Sequence, residues 1–117
     1  MFPKNYVKSF GNAFIGFKSF FKVESNAYLH SIAGIIVIVS GIFFKIELEE
    51  WLWLILAITL VFLTEMFNSA IEELCNLYST EINPKIKIIK DISAAAVLIA
   101  TFFAIIIGVI IFKPYLF

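Results

Sequence analysis

The sequence predicts an all-α integral membrane protein, an amphipathic amino-terminal surface helix followed by three transmembrane helices in a single bundle. Two observations lead there. Hydrophobic residues make up 62% of the 117 positions against 15% charged, with a mean hydropathy of +0.99, outside the range of ordinary soluble domains. Three apolar stretches, placed at residues 27–46, 50–79 and 90–112, are each long enough to cross a hydrocarbon core of about 30 Å. The nine Lys and nine acidic residues cancel, so no global field would recruit nucleic acid. One His and one Cys are too few for a Cys/His metal cage, and Cys75, with no second cysteine to pair with, is read as packing. The start, "MFPKNYVKSF", lacks the basic and continuous apolar regions of a secretory signal, so the chain is read as mature from residue 1.

The first element, residues 4–23, follows from helical spacing. At about 100° per residue Tyr6, Phe10, Phe14, Phe17 and Phe21 share one narrow stripe, while Lys4, Lys8, Lys18 and Lys22 fall on a face well away from it. Such a helix lies on a membrane surface or packs on the body of its own protein, and both can hold at once. Continued to Glu24, it would put that carboxylate on the aromatic side, where a solvated charge gains nothing.

The spans come next, and the lysines orient them. The amino-terminal segment and the 79–91 connection, with Lys85, Lys87 and Lys90, carry the positive charge. The 45–50 connection "KIELEE" has one Lys against three Glu, and the carboxyl end has only Lys113. The amino terminus and the second connection are therefore expected in the cytosol. Trp51 and Trp53 then belong to the aromatic belt of the opposite interface. Asn83-Pro84 marks the loop before the third span. Ser93 to Ala96 is a run of small residues that lets that span approach a neighbour closely, and Gly34 and Gly41 offer the same in the first.

The second span ends unusually, as "TLVFLTEMFNSAIEELCNLYS". Counted from Trp51, Glu65 lies about 21 Å along the helix, still several ångström inside the membrane, where an ionisable residue costs at least about 2.5 kcal/mol and is a functional candidate by default. Asn68 and Glu72 share its face, with Asn76 one turn further, whereas Glu73 points elsewhere. A hard cation such as Mg²⁺ takes one or two carboxylates and completes its shell with water and phosphate oxygens, which suits Glu72 at the wet end together with Glu24. Glu65 could accept a proton from a hydroxyl delivered along the membrane plane. Lys90 can neutralise phosphate, and Asp91 is favoured at the start of the third helix. These parts suit phosphoryl transfer, which needs mainly positioning and charge neutralisation. No P-loop or glycine-rich nucleotide loop is present, so a kinase here is not one of the common soluble folds. Glu73, Glu81 and Lys85 can equally be solvated helix-end charges, and His30 a polar anchor within the bundle.

"EMFNSAIEELCN" followed by "KDISAAAVLIA" resembles the prokaryotic diacylglycerol kinase family, with its pattern E-x-x-N-[ST]-A-I-E-x-x-x-D and K-D-x-x-[SAG]-A-A-V-L. "GFKSFFKVESNAYLH" resembles the same family's surface helix and the start of its first span. The resemblance implies a homotrimeric membrane kinase with three transmembrane helices per subunit, using ATP and Mg²⁺ to phosphorylate a lipid alcohol at the cytosolic face of the bacterial inner membrane. It makes Glu65 the catalytic base and Glu24 and Glu72 the metal-binding carboxylates. Asn68, Lys90 and Asp91 become further polar residues of the site, with Lys90 and Asp91 toward the nucleotide. Glu81 and Asn83 align with a nucleotide-contacting loop, Asn12 with a further nucleotide contact, and Glu65 and His30 are assigned to the lipid substrate. Asn76 replaces the family's usual Asp, losing a charge but keeping an oxygen.

Within that family "ESNAYLH" and "INPKIKIIKDISAAAV" look more like the members that act on undecaprenol than those that act on diacylglycerol, although apolar pockets discriminate weakly. Because three thin helices cannot enclose both lipid and nucleotide, a neighbouring subunit is expected to complete the site. Two other classes stay open from sequence: a small proton-coupled transporter, in which Glu65 relays protons, and a membrane scaffold, which leaves Glu65, Glu72 and Lys90 idle.

Overall fold

A computed structural model describes residues 5–117 as four helices, α1 (Tyr6–Val23), α2 (Asn26–Phe44), α3 (Leu48–Tyr78) and α4 (Pro84–Leu116). Lys4, assigned to the polar face of the first helix, lies outside the described residues. The last three helices are each long and apolar enough to cross a membrane. At 31 and 33 residues, α3 and α4 rise about 46 and 50 Å and so outrun a core of about 30 Å.

Local chemistry explains the ends. Asn5 caps α1 by accepting from the Lys8 backbone N–H at 3.2 Å. The helix stops at Val23, so Glu24 does not continue its aromatic side. Glu24 is extended at φ −106° and ψ 107°, and its Oε1 accepts from the Asn26 N–H at 3.2 Å, serving a free donor at the start of α2. The stripe of α1 meets the rest of the chain only toward its carboxyl end. Tyr6, Phe10 and Phe14 are about 70% exposed, whereas Phe20 is buried and Phe21 packs edge-on against Tyr28 at 5.2 Å.

α2 ends in a Schellman turn, with Lys45 in the left-handed region at φ 52°, its N–H on the Ile42 carbonyl and that of Ile46 on Gly41. α3 starts two residues earlier than expected because Glu47 and Glu50 form a reciprocal capping box. α4 starts six residues earlier, at Pro84. Asn83 accepts from the Lys85 and Ile86 N–H groups, and proline suits the first helical position.

α3 packs mainly against α4, antiparallel, and side-chain pairs pin both ends. At one end Tyr115 donates to Glu50 Oε1 at 2.6 Å over a cluster of Ile46, Leu54 and Ile111. At the other end Ser93 donates to Asn68 and Lys90 to Asn76. Of the small run in α4, only Ser93 is buried; Ala94, Ala95 and Ala96 are exposed. Trp51 is half-buried, its ring lying over Gly41, and Trp53 is 47% exposed. A Cβ on Gly41 would stand 2.7 Å from the Trp51 ring. Gly41→Ala should therefore destabilise the chain by about 1–3 kcal/mol through overpacking, read as a lower thermal midpoint in detergent micelles. An unchanged midpoint would contradict this packing.

Candidate active site

The polar end of α3 gathers partners from α2, α4 and the junction between α1 and α2. Glu65 is buried, 5% exposed, and its Oε1 lies 2.9 Å from His30 Nε2 on α2. One turn on, Asn68 is half-buried and accepts from Ser93 of α4 at 2.7 Å. Buried Ser69 donates to Glu24 Oε2 at 2.8 Å, which ties the α1–α2 junction to α3. Glu72 follows, exposed, and then Asn76, which accepts from Lys90 Nζ at 2.9 Å. Helical spacing keeps Glu65, Asn68, Ser69, Glu72 and Asn76 along one side. A carboxylate at membrane depth is tolerable only with such a partner. His30 is that partner.

The structure thus brings together Glu24, His30, Glu65, Asn68, Asn76 and Lys90. It leaves other candidates outside the cluster. Asp91 is not at a helix start, since α4 begins two turns earlier; it forms an exposed 2.6 Å pair with Lys87, of a kind worth little in stability. Asn83 is occupied in capping α4. Glu81 is exposed, and its N–H donates to Ser79 Oγ at 3.0 Å. Asn12 is exposed on α1 and takes no part in these hydrogen bonds.

Two serines that carry no charge to mark them in the sequence also take part, Ser69 and Ser93. Ser69 was findable, lying four residues after Glu65 and three before Glu72 on the same face. Ser93 reads in the sequence only as a small residue, because its acceptor is on another helix. The Lys90–Asn76 bond also answers what Asn76 does without a charge. Its amide oxygen holds the lysine.

Among the described residues no three His, Cys, Asp or Glu side chains converge as a metal cage. A magnesium ion brought with a nucleotide needs no such cage, since one or two carboxylates suffice beside water and phosphate oxygens. Glu24, anchored on Ser69, and Glu72, one turn beyond Ser69, offer that donor set.

A multi-pass helical chain with a buried carboxylate and a lysine at one end of α3 suits an enzyme that acts at a membrane surface, and comparison with known proteins supplies the class. The chain belongs to the prokaryotic diacylglycerol kinase family, which matches residues 11–112, and it is a lipid kinase. It is 32% identical over 111 residues to an undecaprenol kinase of Bacillus subtilis, covering 95% of this chain and 90% of the relative. It is 31% identical over 111 residues to a diacylglycerol kinase of Synechocystis sp., covering 94% of this chain but 63% of that longer relative. Transporter and scaffold readings give way to this membership.

Proposed function

We propose that the chain is an undecaprenol kinase, transferring the γ-phosphoryl group of ATP to the lipid hydroxyl with Mg²⁺, as a homotrimer at the cytosolic face of a bacterial inner membrane. The observation that carries the reading is Glu65, buried within an apolar span and held by His30. A carboxylate so placed reaches a hydroxyl that arrives laterally with its tail still in lipid. The hydroxyl oxygen attacks the γ-phosphorus, its proton passes to Glu65, and ADP leaves. Glu24 and Glu72 would hold the cation, which when bound supplies neutralising charge to the phosphates. Lys90, kept in place by Asn76, adds positive charge on the same side. His30 orients Glu65 from the lipid-facing side, and Asn68 is fixed by Ser93.

The nucleotide side includes the 79–91 connection with Glu81 and Asn83, Asp91 on α4, and Asn12 on α1. Glu72 is exposed within one chain, so a neighbouring copy is what would close this side. Lysines on α1 and on the 79–91 connection favour the cytosol for this end, and the exposed aromatic stripe of α1 favours a helix lying on the membrane. Support for undecaprenol over diacylglycerol comes from the Bacillus subtilis relative, which matches nearly end to end.

The test is transfer of labelled γ-phosphate from MgATP to undecaprenol and to diacylglycerol, side by side in mixed micelles. A kcat/KM at least about tenfold higher for undecaprenol is expected. Preference for diacylglycerol would overturn the substrate reading, and labelling of neither lipid by folded protein would overturn the activity.

A further inference from the structure

The contact between Lys90 and Asn76 has an orientation that elementary chemistry fixes. An ammonium group can only donate, so at 2.9 Å it is the amide oxygen of Asn76 that faces Nζ, and the amide nitrogen faces away. Asn76 is exposed and takes no other part in the hydrogen bonds of the described residues. Both N–H groups of its amide are therefore free for a ligand. Lys90 is half-buried, and among the described residues no carboxylate pairs with it, since Asp91 is engaged by Lys87. Its positive charge is not cancelled.

The pair thus turns only donors outward, the remaining N–H groups of the ammonium and those of the amide. Phosphate oxygens, which accept and carry negative charge, are what such a surface suits. A carboxylate at position 76 would hold the lysine at least as firmly. It would also cancel the charge and turn a second bare oxygen toward the phosphate, so Asn76 in place of the family pattern's Asp changes what the pair can bind. Its place on α3 says which phosphates. Asn76 lies one turn beyond Glu72 and about three turns beyond Glu65, so the cation carboxylate stands between the pair and the residue that takes the proton.

We propose that Asn76 is a nucleotide ligand in its own right, its amide N–H groups and the Lys90 ammonium together holding the phosphates that stay on ADP. This rests on the kinase reading above and deepens it by a residue on the nucleotide side.

The experiment measures KM for MgATP at saturating lipid, and the inhibition constant of MgADP, for wild type, Asn76→Ala and Asn76→Asp in phosphatidylcholine nanodiscs. The position is exposed, so both variants should fold. Asn76→Ala removes the amide and leaves the lysine charged; both constants should rise about fivefold, as for one neutral hydrogen bond. Asn76→Asp should raise both at least about twentyfold, since bonds to charged groups are worth more, and the loss should fall on KM rather than kcat. A rise in Asn76→Ala but not in Asn76→Asp would mean that Asn76 only steadies the lysine. A rise in Asn76→Asp alone would mean that only the charge of the lysine counts. Either pattern, or no change in both variants, overturns the proposal. So does a rise in KM without a matching rise for MgADP, which would put the pair on the transferred group. Wild-type protein that labels no lipid from MgATP would overturn the kinase reading and this inference with it, whereas an active wild type with unmoved variants overturns the inference alone.

Discussion

Replacing Glu65 with Gln should lower phosphoryl transfer at least about a hundredfold, the low end of what removal of a general base costs. The substitution keeps the size of the side chain and an oxygen able to meet His30, now 2.9 Å away. Folding should therefore survive, which Glu65→Ala would not guarantee, since it leaves the His30 partner unpaired at a half-buried position. What Gln cannot do is take the proton from the attacking hydroxyl. The loss should fall on kcat with MgATP binding close to wild type, as for a group needed only in the transition state. Initial rates at saturating lipid and nucleotide check this. A variant that turns over within a few-fold of wild type would remove Glu65 from the chemistry.

The second large effect concerns the carboxylates assigned to the cation. Glu24→Ala and Glu72→Ala should each reduce transfer by about a hundredfold, comparable to the loss of one preorganised electrostatic group in an active site. Their stability effects should differ. Glu24 accepts from Ser69 and from the Asn26 backbone, so its removal strands a buried hydroxyl at about 1 kcal/mol or more. Glu72 is exposed and its removal should be nearly neutral for folding. Because Ser69 brings Glu24 within a turn of Glu72 in the same chain, mixed oligomers of the two variants should show no recovered activity beyond the sum of each alone. Recovery on mixing would mean that one site draws the two carboxylates from different chains. A neighbouring copy then contributes nearer the chemistry than the fold of one chain indicates.

How much of this was legible in the sequence depended on the range of the interactions involved. The face shared by Glu65, Asn68 and Glu72 follows from helical spacing alone, without knowledge of packing. Helix ends were less accessible. Hydropathy marks where a chain crosses lipid, but backbone hydrogen bonding continues until a cap stops it. The capping box at Glu47 and Glu50 and the Asn83 cap before Pro84 therefore lengthened α3 and α4 beyond their apolar stretches. The break at Glu24 has neither Gly nor Pro to announce it. Its carboxylate found partners in Asn26 and Ser69, and one of these is 45 residues away in sequence. The partners of the site, His30 for Glu65, Ser93 for Asn68 and Asn76 for Lys90, are likewise pairings between helices.

The central claim is that one end of α3 divides its labour, Glu65 for the proton and Glu72 with Glu24 for the metal nucleotide. The most direct measurement is MgATP affinity and lipid-phosphate turnover, made in parallel on the wild type, Glu65→Gln and Glu72→Ala in the same nanodiscs. The account predicts that Glu65→Gln binds MgATP like wild type but scarcely turns over, and that Glu72→Ala loses binding itself. Glu65→Gln turning over normally, or Glu72→Ala binding MgATP with wild-type affinity, would contradict it.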